Sequence, residues 1–368
     1  MSQVYKQARR GKMDFWIFIA VLILLSVGTI MVFSSSAAYA YSRFGNTYYF
    51  LEKQVVWLVV GLIAMLVVSN IDYRKYARLS PYALLGTLGM LILTALIGIE
   101  ANGAKRWLGP FQPSEILKIT LIIFLAYQMA KNYRKMDTFI KGFVPYILVT
   151  GFFCGILYFQ PHMSCALILV SVTAIMMITA GTKLRYFALA SVGIIPLIAY
   201  IATKKAYIID RVFSFLDPFA DKSDGGYQIV QSLYAIGSGG LFGKGIGKSL
   251  QKYLYLPEPY NDFILSILAE ELGFVGVIAI IFMFGLLIWR GFKVANNAPD
   301  RFGSLLAVGI TSLIAVQVVI NIAVVTSSMP VTGMPLPFFS YGGTSLVFLL
   351  IDIGILLNIS RYATYEKF

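Results

Sequence analysis

MSQVYKQARRGKMDFWIFIAVLILLSVGTIMVFSS, residues 1–35, decides the fold. Lys6, Arg9, Arg10 and Lys12 precede an apolar run of about 20 residues, enough to cross a bilayer as one α-helix. No small-residue cleavage site follows a short apolar core, so the stretch reads as a retained first span rather than a signal peptide.

The rest of the chain repeats the pattern. Of 368 residues, 58% are hydrophobic and 13% charged, and mean hydropathy is +0.78. A soluble domain is nearer ~45–50% apolar and ~25% charged. The expectation is an all-α integral membrane protein, a single polytopic membrane domain over residues 1–368. Ten transmembrane helices are expected at 14–35, 53–70, 80–99, 114–131, 142–160, 163–180, 184–203, 263–289, 302–326 and 341–360. Only Gln160, Pro161 and His162 separate the fifth from the sixth.

Cations set the orientation. Besides the N-terminal four, Arg74, Lys75, Arg78, Lys131, Arg134, Lys135, Lys141, Lys183, Arg185, Arg290, Lys293 and Arg301 fall in loops on one side. The opposite short loops hold little beyond Arg43, Lys53, Lys105 and Arg106. Positive loops stay inside, so both termini are expected in the cytoplasm. The same bias accounts for the net charge of +13 without a nucleic-acid partner. Cys154 and Cys165 lie in apolar runs and form no disulfide framework or zinc spacing, and His162 is the single histidine, with no triad around it.

One connection is exceptional: a long extracytoplasmic loop, 204–262, between helices 7 and 8. Its aliphatic and aromatic residues predict short amphipathic or re-entrant helices at the membrane surface. Its second half, GGLFGKGIGKSLQKYLYLPEPYNDF (239–263), imitates a phosphate loop. The spacing fails, because Phe242 stands where a P-loop needs its leading glycine and Lys248 where a dinucleotide fingerprint needs its last. No βαβ unit surrounds it, so no nucleotide is expected. Its glycines read as tight turns or close backbone approach.

Several residues are candidates for chemistry. Asp262 ends the loop and either caps the eighth helix or, partly desolvated, serves as a general base. Pro257 and Pro259 stiffen its approach and keep Glu258 out of regular helix. Lys105, Arg106 and Trp107 are either interfacial anchors or a diphosphate and sugar site. Glu115 and Lys118, three apart, share a helix face. Together with Glu270, Glu271 and Asp352 they are charges inside spans, which face a protein interior or a wet cleft. Either one buried Lys118–carboxylate pair locks helices together, its partner left open, or these charges line a hydrophilic cleft for a headgroup. PVTGMPLPFFSYGG (330–343) reads as a rigid re-entrant turn, either purely structural or one whose Thr332, Ser340 and Tyr341 hydrogen-bond a ligand.

GAKRWLGPFQPSEILK (103–118), the run from DPF (217–219) through 225–276, and NIAVVTSSMPVTGMPLPFFSYGGTS (321–345) together resemble the SEDS family: the shape, elongation, division and sporulation proteins of bacteria. SLQKYLYLPEP looks like its FtsW/SpoVE branch. The resemblance covers most of the chain. It implies a multi-pass peptidoglycan glycosyltransferase of the bacterial cytoplasmic membrane that polymerises lipid II into β-1,4 strands at the outer face. Lipid II is a disaccharide-pentapeptide on undecaprenyl diphosphate. The implied partners are a class B penicillin-binding protein, other divisome or sporulation proteins and membrane lipids. The family's essential aspartate falls on Asp262 and its outer-loop tryptophan on Trp107. His162 and Thr332 depart from the Asp and Lys that many or some members carry there. The inverting chemistry needs a base, Asp262, and charge stabilisation by Lys105, Arg106, Lys244, Lys248 and Lys252, with a divalent cation (Mg or Mn) as a possible helper. The rival reading is a lipid II flippase; against it, no inverted repeat is evident and polar features favour one face.

Overall fold

The computed structural model describes residues 11–101, 104–203, 211, 214–219 and 224–364. A helix covers each predicted apolar run. They are α1 (Phe15–Phe44), α2 (Tyr49–Val68), α3 (Arg74–Ile97), α4 (Pro113–Lys131), the single turn α5 (Phe139–Gly142) leading into α6 (Val144–Phe159), α7 (Met163–Thr179), α8 (Leu184–Thr203), α9 (Asp224–Gly239), α10 (Ile264–Asn296), α11 (Arg301–Val325) and α12 (Gly343–Ser360). Among the described residues eight stretches are long and apolar enough to cross a membrane: α1 to α4, Phe139–Phe159, α10, α11 and α12. At 17 residues α7 is a shorter apolar helix.

The centre of the bundle is α4, α11 and α12, whose residues are mostly buried. Around them α3 packs on α4, α2 on α12, α7 on α4 and α11, and α10 on both α1 and α11. Outward faces stay apolar, as with Val56, Val59 and Ile63 on α2 and Leu148 and Phe152 on α6, which is what a helix bordered by lipid requires. The cation-rich ends are tied by the Arg290–Asp14 ion pair and by Asp300, which meets both Tyr73 and Arg74.

The all-α expectation needs one correction. Between α3 and α4 lies an antiparallel hairpin, β1 (Ile99–Ala101) and β2 (Ala104–Trp107). Asn-Gly, the sequence pair at 102–103, is the commonest two-residue hairpin signal and announces it. The long connection contains α9, whose buried Ile229 and Ala235 sit toward α10 and α11. Ser232 is fully buried and bonded to Ser266 Oγ and to the Val325 carbonyl. Residues 204–210, 212–213 and 220–223 of the expected loop lie outside the described residues.

The glycine-rich segment has a structural task that its sequence conceals. Helix α10 is interrupted at Gly273, where φ is 68° and ψ −171°. Such a break frees backbone groups that must find other partners. Residues 239–245 supply them. The Lys244 and Gly245 amides donate to the Glu270 and Glu271 carbonyls at 3.0 and 2.9 Å. The Phe274 and Val275 amides donate to the Gly240 and Leu241 carbonyls at 2.9 and 3.1 Å. Close approach is what the glycines provide: a Cβ on Gly243, itself at φ +77°, would lie 2.2 Å from the Glu271 carbonyl oxygen. Gly243→Ala is therefore expected to destabilise the protein by more than about 1 kcal/mol. A lowered melting temperature of the purified protein, with Gly237→Ala (no neighbour within 4 Å of the added Cβ) unchanged, is the check.

Residues 330–341 behave as the re-entrant turn expected. Met334, Leu336, Phe338 and Phe339 are buried without belonging to a helix. A Cβ on Gly28, near the middle of α1, would lie 2.3 Å from the Phe338 carbonyl oxygen, so the segment reaches deep into the bundle. Irregular backbone at that depth must be enclosed by protein. Here the Ser340 amide bonds the Leu336 carbonyl and the Ser340 hydroxyl accepts from the Leu336 amide.

Candidate active site

Asp262 lies at the junction of two irregular segments, one residue before the Phe263 that borders α10. Three links hold it against the re-entrant turn. The Asn321 side-chain amide, on the last turns of α11, donates to both the Asp262 carbonyl (2.9 Å) and the Met334 carbonyl (2.7 Å). The Ser340 hydroxyl donates to the Asn261 carbonyl at 2.7 Å. The Tyr341 amide donates to the Tyr260 carbonyl at 2.9 Å. An aromatic cluster closes one side, with the Phe50 ring centroid 4.5 Å from that of Tyr260 and 4.9 Å from that of Tyr341.

The turn leading to Asp262 is strained. Glu258, between Pro257 and Pro259, takes φ 45°, a left-handed conformation that costs a non-glycine residue about 1–3 kcal/mol. Its carbonyl accepts from the Asn261 amide. The Asp262 carboxyl is not used as a cap: Phe263 is the N-cap of α10 and makes no side-chain cap bond. Instead Oδ2 faces Gly333, where a built Cβ would lie 3.4 Å away. Burial, reinforced by the Glu258 charge and opposed by Arg211, pushes the carboxyl up to about 7. That value suits a group that exchanges protons near neutral pH.

The neighbouring wall comes from the α6–α7 turn and the hairpin. Arg106 on β2 donates to the Gln160 carbonyl at 3.3 Å and to the Pro161 carbonyl. The Ser164 hydroxyl donates to the Thr332 carbonyl. His162 lies between, and burial together with the Arg106 and Lys118 charges holds its imidazole down at about 3, so it is neutral. His162 Nδ1, Thr332 Oγ1 and Asn321 Oδ1 are buried with no hydrogen-bond partner among the described residues. Buried polar atoms left open in this way call for water or a ligand. Trp107, half-buried, closes β2 next to Arg106. The side chain of Lys105 lies outside the described residues.

Below the re-entrant turn is a cavity of about 30 Å³ lined by Glu115, Lys118, Gln317, Ser340, Ser345 and Asp352, among others. It has room for water and none for a sugar. Lys118 pairs with Glu115 at 2.7 Å, which answers the question left open by the sequence. Asp352 stays close enough to share the Lys118 charge, yet its Oδ1 has no hydrogen-bond partner among the described residues.

The lysines of the glycine-rich loop are not gathered at Asp262. Lys244 bonds Glu270 at 2.7 Å. Lys252, 4% exposed, sits between Glu271 (3.0 Å) and Ser34 (3.2 Å). Glu270 also accepts from the Leu250 and Gln251 amides, and Glu271 from the Ser249 amide. The two glutamates thus hold the loop onto α10. Lys248 is exposed and makes no ion pair among the described residues.

Asn321, unremarked in sequence, is the residue that joins the Asp262 turn to the re-entrant turn. Asn321→Leu removes both donated bonds and leaves the buried Met334 carbonyl and the part-buried Asp262 carbonyl unmatched. The expected result is loss of about 1–3 kcal/mol of stability per open carbonyl, read by thermal unfolding, with a fall in any activity that depends on Asp262.

Residues 15–365 match the FtsW, RodA and SpoVE cell cycle protein family. Stage V sporulation protein E of Bacillus subtilis (strain 168) is 41% identical over 360 residues, covering 96% of this chain and 98% of that protein. A protein of Geobacter sp. (strain M18) named "Probable peptidoglycan glycosyltransferase FtsW" is 41% identical over 353 residues, covering 94% and 96%. Among solved structures, a chain of a peptidoglycan synthase complex that coordinates polymerization and crosslinking superposes with a TM-score of 0.76 at 27% identity, covering 95% of this chain and 98% of that one.

Proposed function

Because the chain belongs to the FtsW, RodA and SpoVE cell cycle protein family, we propose that it is a peptidoglycan glycosyltransferase that polymerises lipid II at the outer face of the bacterial cytoplasmic membrane. Asp262 carries this reading: a half-buried carboxyl poised near neutrality, on a turn held by three hydrogen-bonded links and not used as a helix cap. In this reading the ten helices all span, both termini are cytoplasmic, and the 204–262 connection and the hairpin face outward.

The reaction follows from the charges. Asp262 takes the proton of the acceptor sugar hydroxyl as that oxygen attacks the anomeric carbon of the donor. The α-linked diphosphate leaves from the opposite face, and one displacement gives the β-1,4 bond. Arg106, anchored by two carbonyls, stabilises the departing negative charge, with Lys105 beside it on β2. Trp107 offers a sugar-stacking face, and Thr332, Ser340 and Tyr341 border the acceptor. Glu115 and Lys118 support the floor of the site. The donor set for a divalent cation (Mg or Mn) is thin: no three His, Cys, Asp or Glu come together among the described residues, and no step here is routed through one. No nucleotide takes part.

The solved relative belongs to a synthase complex that coordinates polymerization and crosslinking, which supports a crosslinking partner; the resemblance makes that partner a class B penicillin-binding protein. Division or sporulation proteins and membrane lipids complete the setting. The test is a reconstitution: purified chain with its cognate penicillin-binding protein and lipid II in detergent. Glycan strands on a gel support the reading. Lipid II left intact there, but moved across liposome membranes, would return the flippase.

A further inference from the structure

The small cavity beneath the re-entrant turn carries a charge that the side chains around it do not balance. Helix α4 contributes Glu115 and Lys118, α11 the uncharged Gln317, and α12 Asp352. Among the described residues no other titratable side chain lines it. One lysine thus faces two carboxylates. Glu115 takes Lys118 at 2.7 Å. Asp352, buried in the middle of α12, has an Oδ1 with no hydrogen-bond partner among the described residues. An unmatched carboxylate inside a membrane protein is costly, so the cavity must take up a proton or a cation.

The wall favours a cation, because it is rich in open oxygen atoms. Pro335 and Pro337 line it, offer no N–H, and their carbonyls accept no hydrogen bond among the described residues. The Ser345 hydroxyl gives its proton to the Gly342 carbonyl at 3.1 Å and keeps its lone pairs. Gln317, buried, adds an amide oxygen. A proton on Asp352 would satisfy one of these oxygens, whereas a cation satisfies several at once. Irregular backbone at membrane depth offers carbonyls to sodium in this way. A single missing positive charge selects a monovalent ion over calcium or magnesium, and an all-oxygen wall suits a hard one. About 30 Å³ gives room for a small ion and little else.

We propose that this cavity binds one sodium ion, held by the Asp352 carboxylate together with Gln317, Ser345 and carbonyl oxygens of the re-entrant turn. The turn above the ion is the one whose Ser340 hydroxyl holds the Asn261 carbonyl, so the ion braces the seat of Asp262 from below. It takes no part in bond formation, and the assignment does not depend on the enzymatic reading.

The test melts the purified full chain in detergent while sodium chloride replaces choline chloride at constant ionic strength and pH. Sodium is expected to raise Tm saturably, by about 3 °C at roughly ten times its dissociation constant. Potassium should need a concentration about ten-fold higher for the same shift. Asp352→Asn should abolish the sodium response and yet melt no lower than wild type in choline chloride, because the unmatched charge is gone. Gln317→Leu keeps the charge and should raise the sodium concentration for half effect about five-fold; it serves if Asp352→Asn folds poorly. Radioactive sodium retained by wild type and not by Asp352→Asn is the direct readout. Three results overturn the proposal. A Tm indifferent to sodium that rises as pH falls makes a proton the counter-charge of Asp352. An equal response to potassium makes the effect one of salt in general. A sodium response kept intact in both variants places the ion elsewhere. Neither readout involves lipid II, so a chain that fails to polymerise it leaves this test untouched.

Discussion

Asp262→Asn is expected to abolish polymerisation of lipid II, with a loss of about 10²–10⁴-fold expected from removal of a general base. Asparagine keeps the shape and the backbone bond from Asn321, so the fold and partner binding should survive, and melting temperature and co-purification should be unchanged. The pH dependence supplies an independent check. Burial and Glu258 raise the Asp262 carboxyl to about 7. The base acts in its ionised form, so activity should fall below pH about 7 and level off above it. Removing the neighbouring negative charge with Glu258→Gln should move that limb to lower pH. Glycan synthesis measured across pH in wild type and Glu258→Gln would sink the assignment if both limbs coincided or if Asp262→Asn retained activity.

The second large effect concerns the buried pair in α4. Lys118 and Glu115 are 6% and 9% exposed and 2.7 Å apart. Removing one partner of a buried pair leaves an unmatched charge and costs about 3–5 kcal/mol. Lys118→Met is expected to cost this, more so because Asp352 faces the same cavity and also loses its nearest cation. Lys118→Met combined with Glu115→Leu should recover a large part of that loss, since apolar replacement of a whole pair is often neutral. Unfolding of the two variants in the same detergent decides the matter: a double variant no more stable than Lys118→Met would mean that the pair is not the source of the effect.

Much of this was legible in the chain. The apolar runs located the helices because length and hydropathy alone are enough in lipid, and α6 and α7 do part at Gln160, Pro161 and His162. The prolines and glycines of 330–343 announced an irregular segment. Glu115 and Lys118 were visible as neighbours on one face, but the sequence could not choose among four carboxylates, because the other three could reach Lys118 only through helix packing, which brings Asp352 near it and takes Glu270 and Glu271 to other lysines. The loop lysines misled for the same reason. Glu270 and Glu271 sit about twenty residues later in the chain, and only the folding of the loop onto α10 brings them to Lys244 and Lys252. The hairpin was missed although Asn-Gly marked it. Asn321 was hidden in an apolar run, where an amide near the end of a span, four residues after Gln317, is the signal that could have singled it out.

The splint across the Gly273 break has a consequence for biosynthesis. Residues 239–245 precede α10 in the chain, so the donors and acceptors that complete the interrupted helix leave the ribosome before the helix itself does. A helix with open backbone groups is costly to pass into lipid, and here its complement precedes the break in the chain. The closure is also local, within a few tens of residues, and such loops close with little entropic penalty. The order of the chain, splint first and broken helix second, lets the insertion machinery hand over a segment that never has to be stable alone.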